Sequence, residues 1–162
     1  MSIRLQVSVD TAATPATVWA EMVDWAGQAR WIPLTTVKTV SAHDTGLGVR
    51  AEALSGFWLG RLPVGLLDRF VVTGWTPPSA DHAGELEVLH LGPYFTGEGA
   101  FRLEPTGSGT RVTATEVFSL PAGRLLEPVV RWALPVMRLG FQGSLRSLRK
   151  VAERSHRVAV NQ

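Results

Sequence analysis

Thr14-Pro15-Ala16-Thr17-Val18-Trp19-Ala20-Glu21-Met22-Val23-Asp24-Trp25, followed by Arg30-Trp31-Ile32-Pro33, decides how this chain is read. Thr14 suits a helix N-cap because its side chain can accept a first-turn N–H. Pro15 suits the first helical position, where no donor is needed. Val18, Met22 and Trp25 then fall at helical spacing, with Trp19 beside them. Gly27 is the expected end of this helix. Arg30 to Pro33 reads as a second short helix or turn, stopped by the proline. Just upstream, Ile3, Leu5, Val7 and Val9 alternate with Arg4, Gln6 and Ser8, the period of a half-buried strand.

Working outward, strand-like runs follow. They cover 35–42, 48–54, 68–75, 85–91, 94–104 and 110–120, separated by turn signals such as His43-Asp44-Thr45-Gly46 and Thr76-Pro77-Pro78. The turn Pro105 to Gly109 predicts a hairpin between its flanking strands. Ser55 to Leu67 is apolar but holds three glycines and a proline. It reads as a long twisted hairpin or an apolar loop, serving either as core packing at a sheet end or as a lid over a cavity mouth. From Leu125 the pattern turns helical: Val130, Leu134, Met137, Phe141, Leu145, Leu148 and Ala152 make one apolar stripe. Pro135 is expected to kink this helix or mark its start. Gly140, Gly143, Ser144 and Ser147 are small enough for close approach to the sheet or to another subunit. Residues 1–156 read as a single domain, and 157–162 as a C-terminal tail.

With 162 residues, 45% hydrophobic and 19% charged, the composition is that of one globular domain. A formal charge of only +2, with no concentrated basic face, argues against nucleic acid as a partner. The absence of cysteine excludes disulfides, thiolate metal sites and Cys nucleophiles. The first residues alternate rather than forming a signal-peptide core. No uncharged apolar run reaches the ~18–20 residues that span a bilayer. A cytoplasmic location without a transmembrane segment is the expectation.

The lone strand, the paired helices with Val18-Trp19 and Trp31-Ile32-Pro33, the run of strands and the long last helix resemble the START/Bet v 1-like (SRPBCC) superfamily. The polyketide cyclase/dehydratase branch is the nearest in pattern. Trp75-Thr76-Pro77-Pro78 and Gly109-Thr110-Arg111-Val112-Thr113 add to the likeness. The resemblance implies an α+β helix-grip fold: a curved antiparallel sheet of about seven strands wrapped around a long C-terminal helix, with two short helices after the first strand. It also implies a cavity for a small hydrophobic molecule that is lipid-, polyketide- or isoprenoid-like.

Alternation says which residues face such a cavity. Val112, Ala114, Glu116 and Phe118 share one face of the last strand. Leu86, Val88 and His90 share a face of an earlier one. A carboxylate among apolar neighbours is costly unless partnered, so Glu116 is a candidate acid or base. It forms a pair with His90 if the strands bring the two within ~3 Å or one water. The bland alternatives are a Glu paired at the sheet edge and a satisfied core His. Asp68 and Arg69 are expected to face solvent or pair across strands. Candidate ligand-binding residues are Trp58, Tyr94, Phe101, Phe118, Met137 and Phe141. The four histidines lack metal-ligand spacing, and no phosphate or dinucleotide fingerprint is present, since Gly97-Glu98-Gly99 lacks the third glycine. No metal or cofactor is therefore expected.

Three functions follow: a carrier of a small hydrophobic ligand, a polyketide cyclase or dehydratase using cavity acid/base residues, or a ligand-free interaction protein. The last would form a homodimer through its helix or its 55–67 segment.

Overall fold

The computed structural model describes residues 2–59, 61–79, 81–119 and 127–161. Strand β1 (Ser2–Thr11) leads into helix α1 (Pro15–Val23) and a 3-10 helix (Ala26–Arg30). Six strands follow: β2 (Thr35–Thr39), β3 (Arg50–Leu59), β4 (Leu62–Thr76), β5 (Gly84–Pro93), β6 (Thr96–Thr106) and β7 (Gly109–Ser119). Helix α2 (Glu127–Val160) ends the fold. The strands form one antiparallel sheet in the order β1-β7-β6-β5-β4-β3-β2, so the first and last strands of the chain lie side by side. This is the α+β helix-grip architecture.

Thr14 caps α1 as its sequence predicts: its backbone is extended and its hydroxyl accepts the N–H of Thr17 at 3.3 Å. The helix stops at Val23, four residues before Gly27. Asp24 leaves helical geometry, and its carboxylate accepts the N–H of Gly27 at 3.1 Å, which starts the 3-10 turn early. That turn brings Trp25 and Trp31 inward, where both are buried. Their indoles donate to Asp44 O at 2.7 Å and Glu21 O at 3.4 Å, so neither N–H is left stranded.

The core lies between the inner face of the sheet, α1 and the second half of α2. Leu145, Leu148, Val151 and Ala152 pack with Val18, Met22, Leu103 and Val112, all buried. Polar bonds secure the same end. Ser155 donates to Glu21 Oε1 at 2.7 Å, and Arg30 to Glu21 Oε2 at 2.6 Å. Glu153 Oε1 accepts from Ala12 N and Thr11 Oγ1. Burial pushes the Glu153 carboxyl up, but Ala12 N–H and Arg149 outweigh it and hold it below the ordinary range.

The first half of α2 is held differently. Val136 and Leu139 are exposed, while Leu134 and Phe141 are partly buried. Pro135 sits inside the helix. Gly140 and Gly143 make no close approach to the sheet among the described residues. A methyl added at either would meet nothing within 4 Å. At its far end α2 continues to Val160, through residues read as a tail; 157–160 are exposed.

The 55–67 segment is a β-hairpin. Strands β3 and β4 stay paired from Arg50↔Val71 out to Leu59↔Leu62. Gly56 and Gly65 face each other with φ of +154° and +149°, and a methyl at Gly56 would lie 2.8 Å from the Gly65 Cα. Glycine at both positions lets the two backbones pass this closely.

Candidate functional site

Strand β5 alternates buried and exposed from Gly84, which turns Leu86, Val88 and His90 inward. On β7 the same period turns Val112, Ala114, Glu116 and Phe118 inward. Strand β6 lies between them, so the backbones carrying His90 and Glu116 stand two strand spacings, about 10 Å, apart. Glycine makes the gap crossable. His90 is in register with Gly97, and Glu116 with Gly99. No side chain rises from β6 at either place, so the imidazole and carboxylate meet above it. His90 Nε2 lies 3.1 Å from Glu116 Oε2. A methyl at Gly99 would lie 2.9 Å from Glu116 Oε1 and 2.9 Å from Val88 Cγ2.

The other ring nitrogen is also engaged. His90 Nδ1 lies 2.8 Å from Asp68 Oδ2. Asp68 pairs with Pro93 while Phe70 pairs with His90, so β5 carries one extra residue between these rungs. This bulge locally re-aims the pleat beside the site. Asp68 is thus cross-strand paired, one of its two expected fates, but through a buried side chain rather than at the surface. Arg69 pairs outside with Glu52 at 2.9 Å.

Aromatic rings frame the cluster. Phe70 and Phe95 lie 6.3 Å and 5.2 Å from the His90 ring, and Phe95 continues to Phe118 at 6.0 Å. His90, Asp68 and Glu116 keep only 10–15% of their side-chain surface exposed. Burial pulls the His90 imidazolium down. Hydrogen bonds to Asp68 and Glu116, and the charge of both, outweigh it and raise its pKa from 6.5 to about 9. Near pH 7 the ring is therefore a cation that donates one N–H to each carboxylate. Asp68 Oδ1 is buried and has no hydrogen-bond partner among the described residues.

Such a cluster can hold or pass a proton. It is not built as a metal site: the imidazole lies between the carboxylates and spends both nitrogens on them. Among the described residues no group of three or more metal-ligating side chains converges on one point.

Residues 2–153 match the model of the family described as polyketide cyclase / dehydrase and lipid transport. The chain belongs to this family. It is thereby a member of the START/Bet v 1-like superfamily. Solved structures agree on the fold. The Zhui aromatase/cyclase from Streptomyces sp. R1128 is 19% identical, with 95% of each chain covered and a TM-score of 0.68. The protein TTHA0849 from Thermus thermophilus is 17% identical over 96% of this chain and 99% of its own, with a TM-score of 0.69. The di-domain StfQ from the steffimycin biosynthetic pathway is 11% identical. It covers 96% of this chain, which spans 52% of its length, with a TM-score of 0.71. No curated protein sequence matches the chain. The family supports a ligand-binding or cyclase role.

Of the residues singled out by sequence, His90 and Glu116 come together. Phe118 is buried beside Phe95, Ile3 and Leu134. Phe101 and Phe141 are partly buried against the main core. Met137 is 39% exposed. Tyr94 does not begin a strand: β5 runs through Pro93 and β6 starts at Thr96, which leaves Tyr94 in the turn between them, 51% exposed. The Trp58 side chain lies outside the described residues. Sequence reading passed over Asp68, Phe95 and the glycine pair. The one available signal was Gly97-x-Gly99 in a strand, where glycine marks a place at which something must pass close to the backbone.

Among the described residues, no helix is long and apolar enough to cross a membrane.

Proposed function

We propose that the chain binds a small, largely hydrophobic molecule between the inner sheet face and the first half of α2, with an oxygen-bearing group of that molecule set against Asp68, His90 and Glu116. The observation that carries this reading is the buried three-residue cluster within a row of aromatic rings. A purely apolar cargo gives no return for keeping two carboxylates and an imidazolium out of water. A ligand with a hydroxyl does: it donates to Asp68 Oδ1, the acceptor without a partner. The exposed stretch 135–140 of α2 and the open space at Gly140 and Gly143 favour entry there.

The cluster also favours a second reading, a cyclase or dehydratase. In a dehydration, Glu116 would take the proton from carbon beside a carbonyl. The His90 imidazolium would give a proton to the departing hydroxyl, so that water leaves and a double bond forms. The apolar walls would hold the chain folded for reaction.

Native mass spectrometry of freshly purified protein tests the binding reading. The expected result is a retained small molecule that is lost on denaturation. Purified protein that carries nothing, and takes up no hydrophobic hydroxylated compound on titration, overturns it. Glu116→Gln separates the two readings. A carrier keeps its affinity within a few-fold, whereas an enzyme loses about 10²-fold or more in rate with the fold intact.

A further inference from the structure

The β3–β4 hairpin tip, the β5–β6 turn and the first half of α2 all lie at one end of the molecule. Leu134 of α2 and Phe95 of that turn both pack against the buried pair Ile3 and Phe118. The hairpin runs on past this level, because Asp68 is already opposite Pro93, the last residue of β5. Leu62, Val64 and Leu66 continue, at period two, the face that carries Phe70 and Val72. In the hairpin that face has lost its cover, and all three leucine and valine side chains are exposed. Leu59 and Leu62 at the tip, and Val136 and Leu139 on α2, are each 66–71% exposed. Large apolar side chains gathered at one end of a domain mark a surface that meets something.

Charge says what it meets. Between Glu52 and Asp68 the only charged residue is Arg61, at the hairpin tip and exposed. The first half of α2 carries Arg131 and Arg138 against a single acid, Glu127, at its start. Arg138 stands exposed between Met137 and Leu139. Protruding apolar tips interspersed with cations that outnumber the one acid match an anionic lipid surface. Leucines enter the acyl boundary while arginines meet phosphate. A second copy of this chain would instead bring like charges together.

We propose that this end of the molecule is a membrane-docking face, with the β3–β4 hairpin and the first half of α2 resting on anionic lipid. The face is separate from the buried cluster, and it stands whether or not a ligand is processed there.

Co-sedimentation with vesicles tests it, using phosphatidylcholine alone and phosphatidylcholine mixed with phosphatidylglycerol. The protein should bind the mixed vesicles, bind the neutral ones far less, and be released by salt. Leu59→Asp/Leu62→Asp should weaken binding at least about tenfold. Arg61→Gln should weaken it about fivefold. Leu139→Asp, on a different element, should also weaken it and carries the test if the hairpin variant misfolds. His90→Gln should bind as the wild type does, which keeps the surface distinct from the ligand site. No binding of the wild type to mixed vesicles overturns the proposal. So does undiminished binding by the folded leucine variants, or a dimer in sedimentation velocity that the hairpin substitutions dissolve.

Discussion

Glu21 and Asp68 are both carboxylates withdrawn from water, and their surroundings differ in kind. Glu21 uses both oxygens, one on Ser155 and one on Arg30, and so ties α1, the 3-10 helix and α2 together. Asp68 uses one oxygen on His90 and leaves the other unpaired. Around Glu21 a guanidinium shared with Asp24 and a hydroxyl satisfy both oxygens. Around Asp68 two acids share one imidazole. The first arrangement is complete and acts as a fastener. The second is left with acceptor capacity, which is useful only if something arrives to use it.

The largest test of this contrast is pH. His90 has a folded pKa of about 9, above the 6.5 of the free group, so protonation favours the folded state. Its contribution is complete below pH 6.5 and is lost as pH rises through 9. It amounts to on the order of 3 kcal/mol. Chemical denaturation followed across that window should show stability falling in the wild type, with the slope removed in His90→Gln. A flat wild-type profile would place His90 outside the ion pairs described. Next, Glu21→Ala should cost about 2 kcal/mol, since it frees Ser155 and leaves Arg30 with only Asp24. Ligand affinity should be unchanged, which distinguishes a fastener from a site. The smallest effect belongs to Gly99→Ala. Its methyl crowds Glu116 and Val88, costs about 1 kcal/mol, and pushes the carboxylate off His90. The imidazole pKa read by NMR should then drop from about 9.

How much of this was legible beforehand depended on how local each cause was. Thr14, Pro15 and the alternation on β5 and β7 act within a few residues, so α1, the sheet and the inward facing of His90 and Glu116 could all be read. The meeting of those two side chains could not. It depends on a third strand offering glycine at two successive inward positions, Gly97 and Gly99. Asp68 was hidden for a similar reason: the bulge in β5 sets its reach to His90, and bulges leave little trace in a periodicity. The hairpin was one of two readings of 55–67, and its glycines, which break the strand pattern singly and make sense only as the facing pair Gly56 and Gly65, kept the loop reading open beside it. The early stop of α1 turned on one carboxylate, Asp24, choosing the N–H of Gly27.

The unequal fastening of α2 has a mechanical consequence. One half is clamped by Leu145, Leu148, Glu153 and Ser155, while among the described residues the other rests on Leu134 and Phe141 and on the bond from Gln142 to Ser8 O. A rod held at one end is a cantilever, whose deflection grows with distance from the clamp. Ordinary thermal agitation therefore moves the less fastened half most, so the sheet face beneath it is uncovered more readily than the face beneath the anchored half.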